Sequence, residues 1–283
     1  SLIPGMVAMS YVFYAYKTQS LMDINWWYGA LATLGAAIWQ ASGNMISDYY
    51  DFKYKVDRLE TYGTGRMLVE GNFTPKEVYR YSLSLMFLGT LIGLYLLFNT
   101  SIHLLWIGVL GALGTYFYFY MKYRAWGDFN IFILYGQLIA LGVYLVMTGK
   151  LSWEILLVAA APGLIIVAIL HANNARDIKH DGVVNIKTFA MQLGIKKSIA
   201  YYTALCVGSY LLIIVAVVLG VLHPLSLIVL LSLPLMLKNI RQMRNAKVET
   251  PEIIKTLDEQ TAQHLTAFGV LLMIANVVAG LIV

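Results

Sequence analysis

The chain alternates long apolar runs with short polar connections along its whole length. A helix needs about 20 mostly apolar residues to cross the hydrocarbon layer. The runs predict nine helices, over residues 2–17, 24–50, 77–98, 102–121, 128–148, 152–177, 196–220, 223–240 and 261–282. They are too long and too uniformly apolar for the alternating strands of a barrel, and backbone groups in lipid must be satisfied internally. The expected fold is therefore all-α: a polytopic membrane bundle of about nine transmembrane helices, forming a single domain over residues 1–283. Thr74–Pro75 and Thr250–Pro251 read as helix starts, and Pro162, Pro224 and Pro234 as kinks or starts.

Composition sharpens this reading. Of 283 residues, 59% are hydrophobic and 12% charged, about half the charged share of a soluble domain. No soluble domain of ordinary size fits, so any chemistry falls to the polar connections. With the connections placed on alternate sides, one side carries 18 of the 20 basic residues, all but Lys17 and Lys150. Cytoplasmic loops are enriched in Lys and Arg, which assigns that side to the cytoplasm. It also carries 13 of the 15 acidic residues, all but Asp23 and Glu154, so it is a charged working face. The net charge of +5 is spread over juxtamembrane loops, a pattern suited to anionic lipid headgroups and not to nucleic acid. Lys238, Arg241, Arg244 and Lys247 read as such an anchor, with a partner site as the alternative; no obligate protein partner is expected. Cys206, the one cysteine, lies in an apolar run and reads as a packing residue. The opening Ser-Leu-Ile-Pro, with no initiator Met and no basic flank, suggests residues upstream and not a signal peptide.

Two polar segments stand out on the charged side. At the end of the second helix, Asn44 and Asp48 are four residues apart and Asp51 three further, with Lys53, Lys55, Asp57 and Arg58 following. At the end of the sixth, Asn173, Asp177 and Asp181 repeat every four residues, with Asn174, Arg176 and Lys179 between them. If the helices continue, each set shares one face. Carboxylates and amide oxygens are hard ligands suited to Mg²⁺, which takes one or two carboxylates and completes its shell with water and phosphate oxygens. A diphosphate bridged to two acidic helices by Mg²⁺ follows, held by Asn44, Asp48, Asp177 and Asp181, with Arg66, Lys122, Arg176 and Lys179 neutralising the remaining charge. The plainer alternative for either cluster alone is headgroup-level ion pairing. The recurrence of Asn-x-x-x-Asp on two helices favours the metal reading.

The same segments resemble the motifs of the UbiA superfamily of intramembrane prenyltransferases, one Asn/Asp-rich motif after helix 2 and a second Asp motif after helix 6. Residues 44–57 are similar to the first and 173–181 to the second. The stretch 65–71, Gly-Arg-Met-Leu-Val-Glu-Gly, resembles the family's following loop, and Tyr118-x-x-x-Lys122 its Tyr-x-x-x-Lys pair. The resemblance implies diphosphate contacts from Arg66, Tyr118 and Lys122, and puts Lys53, Asn173 and Asn174 in the substrate-binding set. It further implies ionisation of an allylic diphosphate, attack by an electron-rich aromatic ring and assistance from Asp51 in deprotonating it. Asp48-Tyr-Tyr-Asp51-Phe, Gly127-Asp128-Phe129, Asn173 to Asp177, Lys187-Thr-Phe-Ala190 and Leu193-Gly194 look most like the 1,4-dihydroxy-2-naphthoate (menaquinone) branch. One departure concerns motif one: its third acid, Asp51, follows at a spacing of three where many members have four, so Asp51 and Asp57 compete for that role. Implied partners are a prenyl diphosphate, a quinone-precursor acceptor and membrane lipid.

Two rivals remain open. A superfamily relative would use another acceptor, 4-hydroxybenzoate or the archaeal glyceryl-phosphate lipid. An ion-coupled transporter would carry its acids near the membrane midplane, whereas here they gather at one face. Among other polar residues, His171 faces the cavity or packs by a hydrogen bond, His103 and His223 read as structural, and His180 and His264 as exposed. Asp128 and Lys187 assist at the mouth or form loop ion pairs. Tyr116 to Tyr120 line a tail channel, shield a carbocation or belt the interface.

Overall fold

The structure, a computed structural model, describes residues 2–18, 23–58, 66–184 and 186–283. Among them there are twelve α-helices and no strand. The helices are α1 (Leu2–Thr18), α2 (Trp26–Lys53), α3 (Arg66–Val69), α4 (Pro75–Asn99), α5 (His103–Tyr116), α6 (Tyr118–Lys122), α7 (Gly127–Ile131), α8 (Ile139–Thr148), α9 (Trp153–Asp181), α10 (Phe189–Val218), α11 (Leu233–Arg244) and α12 (Leu257–Ile282). A π-helical segment, Phe132–Leu138, joins α7 to α8, and 3₁₀ segments Pro224–Ser232 and Pro251–Ile254 lead into α11 and α12. With α5 continued by α6, and α7 by the π segment and α8, these pieces make nine successive passages of the bundle, as the apolar runs predict. Six passages are long and apolar enough to cross a membrane on length and composition alone.

The local chemistry accounts for most boundaries. Thr74 caps α4 in a reciprocal capping box with Glu77, with Pro75 in the first turn. The acid-bearing helices outlast the expected limits. α2 reaches Lys53 and α9 reaches Asp181, so Asp51 and Asp181 are helical residues. The seventh passage begins at Phe189, capped by Thr188, and breaks at Gly194, whose φ of 68° suits glycine; the expected start at 196 follows that break.

The core runs along α1, α8, α9, α10 and α12. α9 meets the π segment backbone to backbone: a Cβ at Gly163 would lie 2.8 Å from Cα of Gly136. α1 and α12 are joined across their buried seam by Asn276 Nδ2 donating to Ser10 Oγ at 3.1 Å, with Gly269 receiving Ile3 and Gly280 receiving Phe13. In lipid, close approach through small residues and buried polar bonds is what holds helices together. Cys206 is buried and free, as a packing residue should be. His264, expected to be exposed, is fully buried, its Nε2 2.8 Å from the Tyr210 hydroxyl, because α12 packs on α10 through that side chain.

Candidate active site

The charged ends of α2, α6 and α9 lie at one end of the bundle. Asp51 is 6% exposed and accepts hydrogen bonds from Lys122 Nζ at 3.0 Å, from Ser47 Oγ at 3.4 Å and from the Tyr123 hydroxyl. The α6 register places Tyr118 one turn before Lys122, where it feels the charges of both Lys122 and Asp51. Asp48, half-buried one turn earlier on α2, lies within range of the same two charges.

From the other segment, buried Asp181 lies within electrostatic reach of Lys122, Asp177, Asp51 and Asp57. The two acidic segments thus share one neighbourhood, and a direct bond ties them: Arg58, just past α2, donates to the carbonyl of His180 at the end of α9, 2.9 Å away. Asp57, in the turn after α2, has its carboxyl pushed up to about 7, first by burial and then by the charge of Asp51, with Asp48 and Asp177 adding to it and Lys122 opposing.

Not every candidate turns toward this neighbourhood. Arg176, expected as a phosphate clamp, is buried and engaged by protein groups. It donates to both carboxylate oxygens of Asp177 (3.0 and 2.8 Å), to Asn173 Oδ1 (2.8 Å), to Asp258 Oδ2 (2.9 Å) and to the Lys255 carbonyl (3.2 Å). It therefore fixes Asn173 and Asp177 against the start of α12. Asn174 is buried, whereas Asn44 and Lys179 are exposed. Lys53 lies 5.6 to 6.0 Å from the rings of Tyr49, Tyr50 and Tyr54, and it lines, with Lys55, Asp57 and Arg58, a depression of about 470 Å³. Arg66 opens α3, but its side chain lies outside the described residues, as does Gly65 of the same loop.

Asp128 is not at an open mouth. It is 4% exposed, 3.0 Å from Nδ1 of the fully buried His171, whose ring packs against Tyr201 and Phe189. Both residues are buried between α7, α9 and α10. Lys187 bonds through its backbone to the Tyr123 carbonyl at 3.0 Å. In the aromatic stretch, Phe119 stacks on Tyr50 at 3.8 Å, and no residue of 116–120 lines the apolar cavity. Tyr123 and Asp258 were missed in the sequence. Tyr123 directly follows Lys122, whereas Asp258 lies 82 residues from Arg176, with no spacing to betray it.

An apolar cavity of about 330 Å³ opens deeper in the bundle, along α2, α4, α5 and α8. Its polar end holds Gln40, Thr115 and Tyr135, with Gln40 one turn before Asn44 and Gly43 packed directly against Thr115. From Thr115 to Leu104 it follows α5 for about 16 Å at 1.5 Å per residue, away from the charged end.

An acidic cluster short of positive charge suits a divalent cation. Among the described residues no three His, Cys, Asp or Glu side chains gather closely enough to hold a metal ion by themselves.

Comparisons with known proteins bear on the family and the fold. A 1,4-dihydroxy-2-naphthoate octaprenyltransferase of Bacillus subtilis (strain 168) is 28% identical over 254 residues, covering 88% of this chain and 81% of that protein. The human UbiA prenyltransferase domain-containing protein 1 is 30% identical over 203 residues, 70% of this chain but 59% of its own length. This chain thus spans less than two thirds of that vertebrate relative. Among solved structures, a UbiA homolog from Aeropyrum pernix K1 superposes with a TM-score of 0.65 at 16% identity, over 93% of this chain and 96% of that one. A UbiA homolog from Archaeoglobus fulgidus bound to GPP and Mg²⁺ gives 0.58 at 14% identity, over 95% of both. At such identities these structures speak for the fold alone. The family's own sequence pattern matches residues 2–255, a span that takes in both acidic segments, and on that match the chain belongs to the UbiA prenyltransferase family.

Proposed function

We propose that this integral membrane prenyltransferase is Mg²⁺-dependent, works at the cytoplasmic face, and transfers an isoprenyl chain from its diphosphate to an aromatic acceptor, 1,4-dihydroxy-2-naphthoate. The observation that carries the reading is the meeting of the α2 and α9 acids near Lys122, with Arg58 past α2 bonded to the end of α9. The acceptor rests on the name of the Bacillus subtilis relative and on the motifs shared with that branch.

Asn44, Asp48, Asp177 and Asp181 would hold the metal, which when bound neutralises the charge that develops on the departing diphosphate. Lys122, Tyr118, Arg66 and Lys179 share that charge, and Lys53 offers a further cation at the rim. Asn173 and Asn174 flank the metal-binding acids on α9, and Arg176 orients Asn173 and Asp177. Asp51, engaged by three donors, is a positioning residue for Lys122 and Tyr123. The role of third acid in motif one then passes to Asp57. The apolar cavity beside Gln40 receives the first part of the tail and keeps water from the allylic cation.

Asp48→Ala is expected to abolish Mg²⁺-dependent product formation with the thermal midpoint kept within a few degrees, and Asp177→Ala to abolish it with a lowered midpoint, because that change also takes a carboxylate from buried Arg176. Full turnover by either variant refutes the metal site. A panel of naphthoate, 4-hydroxybenzoate and glyceryl-phosphate acceptors, each offered with one labelled prenyl diphosphate, tests the acceptor.

A further inference from the structure

We propose that the buried Asp128–His171 pair is a positioning device that holds Lys122 in register with the acids of α9, so that cation and acids can grip one diphosphate together. The inference rests on the proposed diphosphate donor and concerns which residues outside the charged cluster set its geometry.

His171 is fully buried and Asp128 is 4% exposed, and Nδ1 of the one lies 3.0 Å from Oδ2 of the other. A carboxylate only accepts, so Nδ1 carries the hydrogen. The remaining polar atom of each, His171 Nε2 and Asp128 Oδ1, is buried without a hydrogen-bond partner among the described residues. An unmatched buried polar atom costs stability, and an apolar pair of the same volume is often as stable or more so. Packing alone therefore does not account for the pair. A directional bond that fixes one helix against another does.

That bond spans from the acids to the cation. His171 is on α9, the helix of Asn173, Asp177 and Asp181. Asp128 is on α7, whose first residue, Gly127, rests on Lys122: a Cβ there would lie 3.3 Å from Lys122 Cα and 3.7 Å from Leu170 Cδ2, next to His171. Tyr118, one turn before Lys122, lies in electrostatic range of Asp128 as well.

The turn from α6 to α7 needs such a brace. Ala125 within it has a φ of 64°, in the left-handed region that a residue bearing a Cβ avoids. Such a conformation persists only where the surrounding structure imposes it. Farther along the same passage Gly136 packs on Gly163 of α9, and the Asp128–His171 bond extends that contact to the first turn of α7, beside Lys122. Without the bond, the polar tie left at the start of α7 runs to α5, from Asn130 Nδ2 to the Gly114 carbonyl at 2.9 Å.

Binding of a donor analogue tests the brace, on the full-length chain in lipid nanodiscs with Mg²⁺. Geranyl S-thiolodiphosphate is titrated by calorimetry into wild type, His171→Asn and His171→Gln. The Asn amide takes the place of Nδ1 and is expected to bind the probe as wild type does. The Gln amide reaches the place of Nε2, and its affinity is expected to fall at least about tenfold, the low end for loss of an outer supporting partner. In turnover, His171→Gln is expected to raise KM for geranyl diphosphate and leave KM for 1,4-dihydroxy-2-naphthoate unchanged. Wild-type affinity in His171→Gln, an Asn variant no better than Gln, or an equal rise in both KM values overturns the proposal. Asp128→Ala breaks the same bond from the α7 side and replaces His171→Gln if that variant does not fold; if neither folds, the pair holds the bundle as a whole and the proposal falls. A wild type that does not bind the probe sinks the proposed function itself, an outcome separate from binding that every variant retains.

Discussion

Lys122 and Asp51 sit 3.0 Å apart with side chains 17% and 8% exposed, too enclosed for water to replace either partner. At that distance and an effective dielectric of about 20, their gross attraction is about 5 to 6 kcal/mol. Removing one partner of a buried pair costs about 3 to 5 kcal/mol, because the other is left desolvated and unpaired, while replacing both with groups of similar size is often close to neutral. Lys122→Met strands a carboxylate and Asp51→Asn strands an ammonium; the double variant strands neither. For a chain of this size, each kcal/mol moves the midpoint by about 2 to 4 °C, so each single variant is expected to lose at least about 6 °C. The double variant is expected to recover half or more of the summed loss. Cys206 supplies the assay: the only cysteine, fully buried, it reacts with a maleimide fluorophore once the bundle opens. Losses that simply add in the double variant would refute the coupling, and with it the assignment of Asp51 as the group that holds Lys122 in place.

Two further outcomes follow from the same structure. Asp57 has a folded-state value of about 7 against an ordinary 3.8, so the metal-free folded protein keeps a proton there that the unfolded chain gives up. Its stability should therefore fall as pH rises from about 4 to about 7; Asp57→Asn should raise the metal-free midpoint at pH 7.5 and leave it unchanged at pH 4, and a uniform shift at both would be inconsistent with this titration. At the Gly136–Gly163 crossing, Gly163→Leu places atoms against backbone that cannot rotate away. Overpacking typically costs about 1 to 3 kcal/mol, occasionally more, so a midpoint drop of several degrees or loss of folded protein on size exclusion is expected, and a wild-type midpoint would contradict the contact.

The sequence by itself determined the number of passages, their order and the charged end. Apolar runs of membrane length and the crowding of charge into alternate connections are one-dimensional signals, and the structure repeats them. The Asn-x-x-x-Asp spacings likewise put each acid set on one helix end. Only the tertiary structure decided which charges meet. Arg176 reads as a phosphate clamp in sequence, and only the fold brings Asp258 of α12 within 2.9 Å of its guanidinium. Asp51 has the spacing of a metal ligand or base, yet Lys122, 71 residues away, claims it. His264 reads as a polar residue near a helix start and is sealed by Tyr210. In each case a side chain's role is set by a partner that the fold supplies from far along the chain, and periodicity along one helix carries no information about what faces it.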